Sequence, residues 1–88
     1  MSNPMHQTKE EEIKDHLAFC KRKMRMDWEN GLLKGISDPD AHFRNSLELI
    51  KQVWETVEVL HGNMSEQEKR EYEPIWREQI RKHRDTEY

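Results

Sequence analysis

Apolar residues recur most regularly between Asp38 and Gly62, where they follow alternating spacings of four and three. This spacing places them on one side of a 3.6-residue helix. The column consists of Phe43, Leu47, Ile50, Trp54, Val57 and His61. Asp38 is a suitable N-cap, Pro39 suits the first helical position and Gly62 can adopt the left-handed conformation that ends a helix. The sequence therefore predicts one helix from Asp38 to about His61.

A second apolar column, formed by Leu49, Val53 and Leu60, lies beside the first on the same predicted helix. A helix that packs on one neighbour does not need both columns, so the wide apolar arc indicates contact with two helices. The second of these belongs either to the same chain or to a partner. We accordingly expect Trp54 and Leu60 to be largely buried, in different contacts.

The first helix is predicted to begin at Thr8, because Thr8 and Glu11 have the spacing of a capping box. Its apolar stripe comprises Ile13, Leu17, Cys20, Met24 and Trp28. Two ends are compatible with the sequence, one at Asn30-Gly31 and one at Lys34 before Gly35. We favour the later end, with Gly31 inside the helix and Leu32, Leu33 and Ile36 closing the core.

A second capping box, Ser65 to Glu68, opens the third predicted helix, which carries Tyr72, Ile75, Trp76 and Ile80 on one side. Pro74 should either kink this helix or divide it near Glu73, because proline removes a backbone hydrogen bond and clashes with the preceding turn. Residues 1–7 and 83–88 are predicted to be disordered or frayed tails. Residues 8–82 then form a single all-α domain, an antiparallel helical hairpin with a third helix packed across it.

Composition indicates a thin core, since only 33% of the 88 residues are hydrophobic and 38% are charged. Small cores are commonly supplemented by oligomerisation, which favours a homodimer. A single cysteine, Cys20, excludes an intrachain disulfide and favours a reducing compartment. With no apolar run long enough for a membrane span or a signal peptide, the expected location is the cytoplasm.

Two pairs of residues have the spacing of metal ligands. Glu58 and His61 stand at i and i+3, as in the ferritin-like carboxylate proteins, and His16 and Cys20 stand at i and i+4. Neither pair has further ligands nearby in the predicted hairpin, so no metal, cofactor or catalytic residue is assigned. A dimeric metal-binding bundle that uses Glu58 and His61 remains the alternative function.

Basic residues cluster at Lys21 to Arg25, and a second basic column contains Arg77, Arg81 and Arg84. The first cluster could bind phosphates. However, no helix-turn-helix arrangement follows it and the net charge is -3, so nucleic-acid binding is a weak alternative. The second column could pair with acids of the first helix or bind an acidic partner.

The function that the sequence favours is non-enzymatic: a small regulatory or protein-interaction module that presents helical faces to itself or to another protein. Apolar residues outside the expected core support this hypothesis, because exposed apolar patches commonly mark association surfaces. The candidate partner-binding residues are Leu49, Val53, Leu60, Phe19, Met26, Arg77 and Arg81.

Overall fold

The computed structural model describes residues 8–85, which form α-helices and no strand. The four helices are α1 (Lys9–Glu29), α2 (Pro39–Asn45), α3 (Leu47–Leu60) and α4 (Glu66–Asp85). The predicted all-α class is therefore confirmed, with four helices in place of three. The predicted tail at residues 1–7 lies outside the described residues, as do residues 86–88. Residues 83–85 belong to α4.

Both predicted capping boxes are present. The Thr8 hydroxyl accepts a hydrogen bond from the Glu11 amide at 3.1 Å, and the Glu11 carboxylate accepts from the Thr8 amide at 3.0 Å. At the start of α4, Ser65 and Glu68 make the same reciprocal pair at 3.2 and 3.1 Å. Each box satisfies two backbone amides that have no partner inside the helix, which is why these helices begin where they do.

The predicted later end of the first helix is wrong. Helix α1 ends at Glu29 with Asn30 as C-cap, and Gly31 has a left-handed φ of 78°. Glycine adopts this conformation without steric cost, so it stops the helix instead of continuing it. Residues 31–36 then form a surface loop in which Leu32 is 69% exposed, and Leu32, Leu33 and Ile36 do not join the buried core.

The predicted single helix from Asp38 to His61 is divided at Ser46. The Ser46 hydroxyl donates to the His42 carbonyl at 2.8 Å, while the Ser46 amide bonds to the Phe43 carbonyl, three residues back. In a regular α-helix the Ser46 amide would donate to the His42 carbonyl. Here the Ser46 hydroxyl donates to that carbonyl instead, and the helix is interrupted. The outer ends are as predicted, with Asp38 accepting from the Asp40 amide and Gly62 at a φ of 72°.

Pro74 lies inside α4 without dividing it, so the alternative of two short helices is wrong. Proline has no amide hydrogen for the Arg70 carbonyl. Because Pro74 is on the exposed side of α4, water can hydrogen-bond to that carbonyl instead.

The directions of the helices follow from the pairs that join them. Arg25 of α1 pairs with Asp40 of α2 at 3.1 Å, and Trp28 donates to the Ile36 carbonyl at 2.7 Å, so the chain turns back after α1. Helices α3 and α4 are also antiparallel, because Glu48 pairs with Arg77 and Lys51 with Glu73. Helices α1 and α4 consequently run in the same direction and are brought together by the helices between them.

The core lies where the helices meet. Its buried residues are Ile13, Leu17, Phe43, Leu47, Ile50, Met64, Tyr72, Trp76 and Ile80. Trp76 is fully buried, and Trp54 packs on it with ring centroids 5.5 Å apart. Trp28 lies outside this cluster, near the end of α1, and its indole donates to the α1–α2 connection at Ile36. Each predicted helix carries one tryptophan. Trp54 and Trp76 pack against each other, whereas Trp28 makes a separate contact.

None of the helices between residues 8 and 85 combines the length and the apolar composition that crossing a bilayer requires.

Truncating Trp76 tests its place at the centre of the core. Because its side chain is completely buried, Trp76→Ala should lower the free energy of unfolding by about 3–5 kcal/mol, measured by chemical denaturation and circular dichroism. The matched control is Leu32→Ala, at a side chain that is 69% exposed, which should change stability by less than about 0.5 kcal/mol. Equal losses in the two variants would contradict the assignment of Trp76 to the core.

Candidate interaction surface

Helix α3 exposes four apolar side chains on one side, which we call the α3 apolar surface. They are Leu49, Val53, Val57 and Leu60, exposed by 61%, 53%, 42% and 78% respectively. They fall within an arc of about 80° at 100° per residue. The prediction that Leu60 is buried is therefore wrong, and Trp54 is only half-buried. The second apolar column has no covering helix within the described part of the chain.

All four charged residues of α3 lie on the opposite side, toward α4. Glu48, Lys51, Glu55 and Glu58 also share an arc of about 80°, centred roughly 180° from the α3 apolar surface. Lys51 is only 7% exposed and Glu55 only 5%. The helix thus buries Lys51 and Glu55 beside its core residues Leu47 and Ile50 and leaves a second apolar side exposed, whereas an ordinary surface helix exposes its charged side.

A chain of ion pairs holds the charged side of α3 against α4. The Lys51 Nζ lies 3.2 Å from Glu55 Oε1 and 2.8 Å from Glu73 Oε1. Arg77 continues the network, with Glu73 at 2.8 Å on one side and Glu48 at 2.8 Å on the other. Buried charges need such partners, because an unpaired charge away from water is strongly destabilising.

The titration of these groups reflects the network. Burial acts to lower the pKa of Lys51, but its hydrogen bonds to Glu73 and Glu55 outweigh this effect and hold that pKa above its ordinary value. The hydrogen bonds from Lys51 and Arg77 lower the pKa of Glu73. Lys51 and Glu73 therefore stay charged across the neutral pH range, and the ion pair between α3 and α4 persists there.

A groove of about 340 Å³ adjoins the α3 apolar surface on the side of α1. Its walls include Cys20 and Met24 from α1 and Leu49, Ile50 and Val53 from α3. The lining is predominantly apolar, so the groove extends the same kind of surface toward α1.

Two further candidate residues lie on α1. Phe19 and Met26 are 54% and 57% exposed, and their i, i+7 spacing places them on one side of that helix. Phe19 follows the groove residue His16 by three positions and is therefore its neighbour on the helix surface. Of the predicted partner-binding residues, Leu49, Val53, Leu60, Phe19 and Met26 are all exposed.

His16 and Cys20 lie together at the bottom of this groove, with Cys20 Sγ 3.6 Å from His16 Nε2. The His16 ring also packs near Trp54 and Trp76, at centroid distances of 6.2 and 6.4 Å. Burial lowers the pKa of His16 and raises the pKa of the Cys20 thiol. The neutral thiol is a poor nucleophile, so the pair has the character of a packed contact.

Within the described residues, the structure adds no third metal-ligating side chain to either predicted pair. Among residues 8–85, no three His, Cys, Asp or Glu side chains are placed to share a metal ion. Glu58 accepts a hydrogen bond from the Asn63 side chain at 2.9 Å, and His61 is the exposed C-cap of α3. Both residues contribute to the end of the helix.

Several of the basic candidates are engaged in ion pairs within the chain. In the Lys21–Arg25 run, Lys23 pairs with Asp27 and Arg25 with Asp40. In the second basic column, Arg81 pairs with Glu78 and Asp85. Arg77 pairs with Glu48 of α3 and Glu73 of α4. Of the two possibilities for this column, pairing with acids of the first helix is therefore not seen at Arg77 or Arg81, and binding of an acidic partner stays a prediction.

Sequence reasoning missed Lys51 and Glu55, to which it assigned no role. The sequence nevertheless contained an indication that these residues are unusual. The four charged residues of the segment that became α3 occupy one narrow arc, whereas charges on an exposed helix are usually spread over the whole outer side. Only the position of α4 shows that this arc faces inward.

Removing one charge from the buried pair should be costly. Lys51→Met leaves Glu55 buried without its cation and should lower the free energy of unfolding by about 3–5 kcal/mol. The double variant Lys51→Met, Glu55→Leu should recover most of this loss, because it leaves no unpaired buried charge on α3.

The matched control for Lys51→Met is Lys23→Met, which removes an exposed i, i+4 pair with Asp27 and should cost only about 0.2–1 kcal/mol. Urea denaturation provides the measurement. A Lys51→Met loss no larger than that of Lys23→Met would show that the ion pairs of Lys51 with Glu55 and with Glu73 of α4 do not stabilise the fold.

Stability should fall in mildly acidic solution because of His16. Its pKa is lower in the folded protein than the ordinary value of 6.5, so protonation favours the unfolded chain. The contribution is present in full above about pH 6.5 and is lost as the pH falls toward the folded-state pKa. The lowered carboxyl pKa values of Glu11, Glu73 and Glu78 affect stability only below about pH 4.5.

His16→Gln removes the titrating ring and should flatten the dependence of the melting temperature between about pH 7 and pH 5. Thermal denaturation of the two proteins across this range measures the effect. The same slope in both would show that His16 does not titrate with a lowered pKa.

Comparison of the chain with protein-family models, with curated proteins and with solved structures gave no significant match. The function has to be inferred from the fold and its exposed surfaces.

Proposed function

We propose that this protein is a non-enzymatic interaction module that works as a homodimer, with the α3 apolar surface as the contact between its two copies. The observation that carries the proposal is the orientation of α3, which buries Lys51 and Glu55 while exposing Leu49, Val53, Val57 and Leu60. A second copy that covers this surface would remove the exposed apolar area from water.

The arrangement of the exposed side chains supports helix packing. Leu49, Val53 and Val57 recur every fourth residue and form a ridge along α3. Ridges of this type pack into the grooves of a second helix at a crossing angle of about -50°. Valine and leucine side chains are short enough to allow the close approach that such packing requires.

The absence of charge on the surface favours a second copy as the occupant. In a two-fold symmetric interface each patch contacts the identical patch, so a charged residue near the axis would oppose its own copy. All four charged residues of α3 lie on the opposite arc, so none of them flanks the α3 apolar surface, although 38% of the whole chain is charged. The neighbouring groove and Phe19 enlarge the contact beyond α3.

A dimer would also compensate for the small size of the core. A chain of 88 residues buries a modest share of its unfolded surface, and association adds apolar burial that the single chain lacks. The resulting dimer would present its remaining helical surfaces twice, which suits a regulator or adaptor. A reducing, cytoplasmic setting accords with the single unpaired cysteine.

A charge at the centre of the α3 apolar surface should separate the copies. Wild-type protein should show about twice the chain mass of 10.8 kDa in size-exclusion chromatography with light scattering. Val53→Asp should weaken the dimer roughly thirtyfold or more, the effect of losing a central contact worth about 2 kcal/mol. Because Val53 is half exposed in the single chain, circular dichroism should show an unchanged fold.

Ala18→Asp is the matched control, since it adds the same charge at an exposed position of α1 outside the groove and the α3 apolar surface. It should leave the dimer intact. A wild-type protein that stays monomeric at micromolar concentration, or a Val53→Asp variant that remains dimeric, would overturn the proposal.

A further inference from the structure

The groove between α1 and α3, which we call the Cys20 groove, lies on the same face of the protein as the α3 apolar surface. It has a volume of about 340 Å³, and its walls include Cys20 and Met24 of α1 and Leu49, Ile50 and Val53 of α3. Leu49 and Val53 belong to both features, so a second copy that covers the α3 apolar surface also faces the mouth of the groove. An interface that excludes water at its centre therefore needs a side chain to fill the groove.

Phe19 stands beside this groove without entering it. Its side chain is 54% exposed and does not belong to the lining. The reason is its position on α1, since Phe19 precedes Cys20 by one residue and is rotated from it by about 100° around the helix axis. An exposed phenyl ring and an apolar groove that this ring does not fill thus lie side by side.

A two-fold symmetric dimer can bring these two features together. In such an interface each copy presents the same surface, so a projecting side chain of one copy can occupy a groove of the other, and the reciprocal contact follows from the symmetry. An unrelated partner would have to supply an aromatic residue of its own, whereas a second copy already carries Phe19.

The size of a stable interface also requires the contact to extend onto α1. Specific dimers bury about 800 Å² on each copy, from roughly 20–30 residues. The α3 apolar surface comprises four side chains of a single helix, which is too few for an interface of this size. Phe19 and the Cys20 groove are the adjacent apolar features on the side of α1, and symmetry would make their contact twice.

The lining of the groove suits an aromatic ring. An apolar cavity of about 150 Å³ can hold a benzene molecule, so a groove of about 340 Å³ has room for a phenyl ring. The sulfur atoms of Cys20 and Met24 can make favourable contacts with the ring. Among the described residues, no Asp, Glu, Lys or Arg lines the groove. A phenyl ring can therefore enter without removing a carboxylate, ammonium or guanidinium group from water.

From these observations we infer that each copy of the dimer inserts Phe19 into the Cys20 groove of the other copy. The inference rests on the proposed homodimer and names the aromatic anchor of its contact. Aromatic side chains that fill a pocket within an interface commonly dominate its binding energy.

The direct test is an isotope-filtered NOE experiment on a mixed dimer of labelled and unlabelled chains, which records only contacts between different copies. The Phe19 ring protons should show NOEs to the methyl groups of Met24, Leu49 and Val53 of the other copy. A dimer in which these methyl groups contact other residues of the second copy, and not Phe19, would overturn the inference.

Truncation of Phe19 measures its contribution to the dimer. Phe19→Ala should weaken dimerisation roughly thirtyfold or more in sedimentation equilibrium, because it removes the anchor from both grooves. Since Phe19 is half exposed in the single chain, circular dichroism should show an unchanged fold. Leu32→Ala is the matched control, because it truncates an apolar side chain that is 69% exposed but lies in the α1–α2 connection. It should change the dimer affinity less than about threefold.

The homodimer and the Phe19 contact can fail separately. A wild-type chain that is monomeric in light scattering overturns both. A dimer that Val53→Asp separates, but that keeps wild-type affinity in Phe19→Ala, overturns the Phe19 contact alone.

Discussion

The ion pairs between α3 and α4 are the constraint on which the exposed surface of this protein depends. Lys51 joins Glu55 of its own helix to Glu73 of α4, and Arg77 joins Glu73 to Glu48. Charges that are removed from water must keep their partners, so these contacts fix the rotation of α3 about its axis. With the charged side held inward, the α3 apolar surface, which lies opposite to it, has to face outward.

This orientation decides what each edge of α3 presents to solvent. On one edge, the uncharged side chains of the α3 apolar surface and the adjoining groove are exposed. On the other edge, Glu55 is held inward by its ion pair with Lys51. Both features derive from the same rotation of one helix.

The core is built differently from this surface. Trp76 is enclosed by residues from all four helices and the α3–α4 connection, with Trp54 and Tyr72 forming an aromatic contact at 5.1 Å beside it. Tyr72 also donates to Glu12 at 2.7 Å, which ties α4 to α1. A few large side chains thus provide most of the burial that a chain rich in charged residues can supply.

The sequence by itself determined the helical class, both capping boxes, the Asp38 cap and the end at Gly62, because these depend on residues within one turn of each other. It also placed Phe43, Leu47 and Trp76 on inward-facing sides. It did not determine that Ser46 divides a helix, since serine is compatible with both a helix interior and a break until its hydroxyl finds a carbonyl. Above all, it could not determine which side of α3 faces α4. Periodicity shows that Lys51 and Glu55 lie opposite Leu49 and Val53, but only the packing of α4 decides which side is buried.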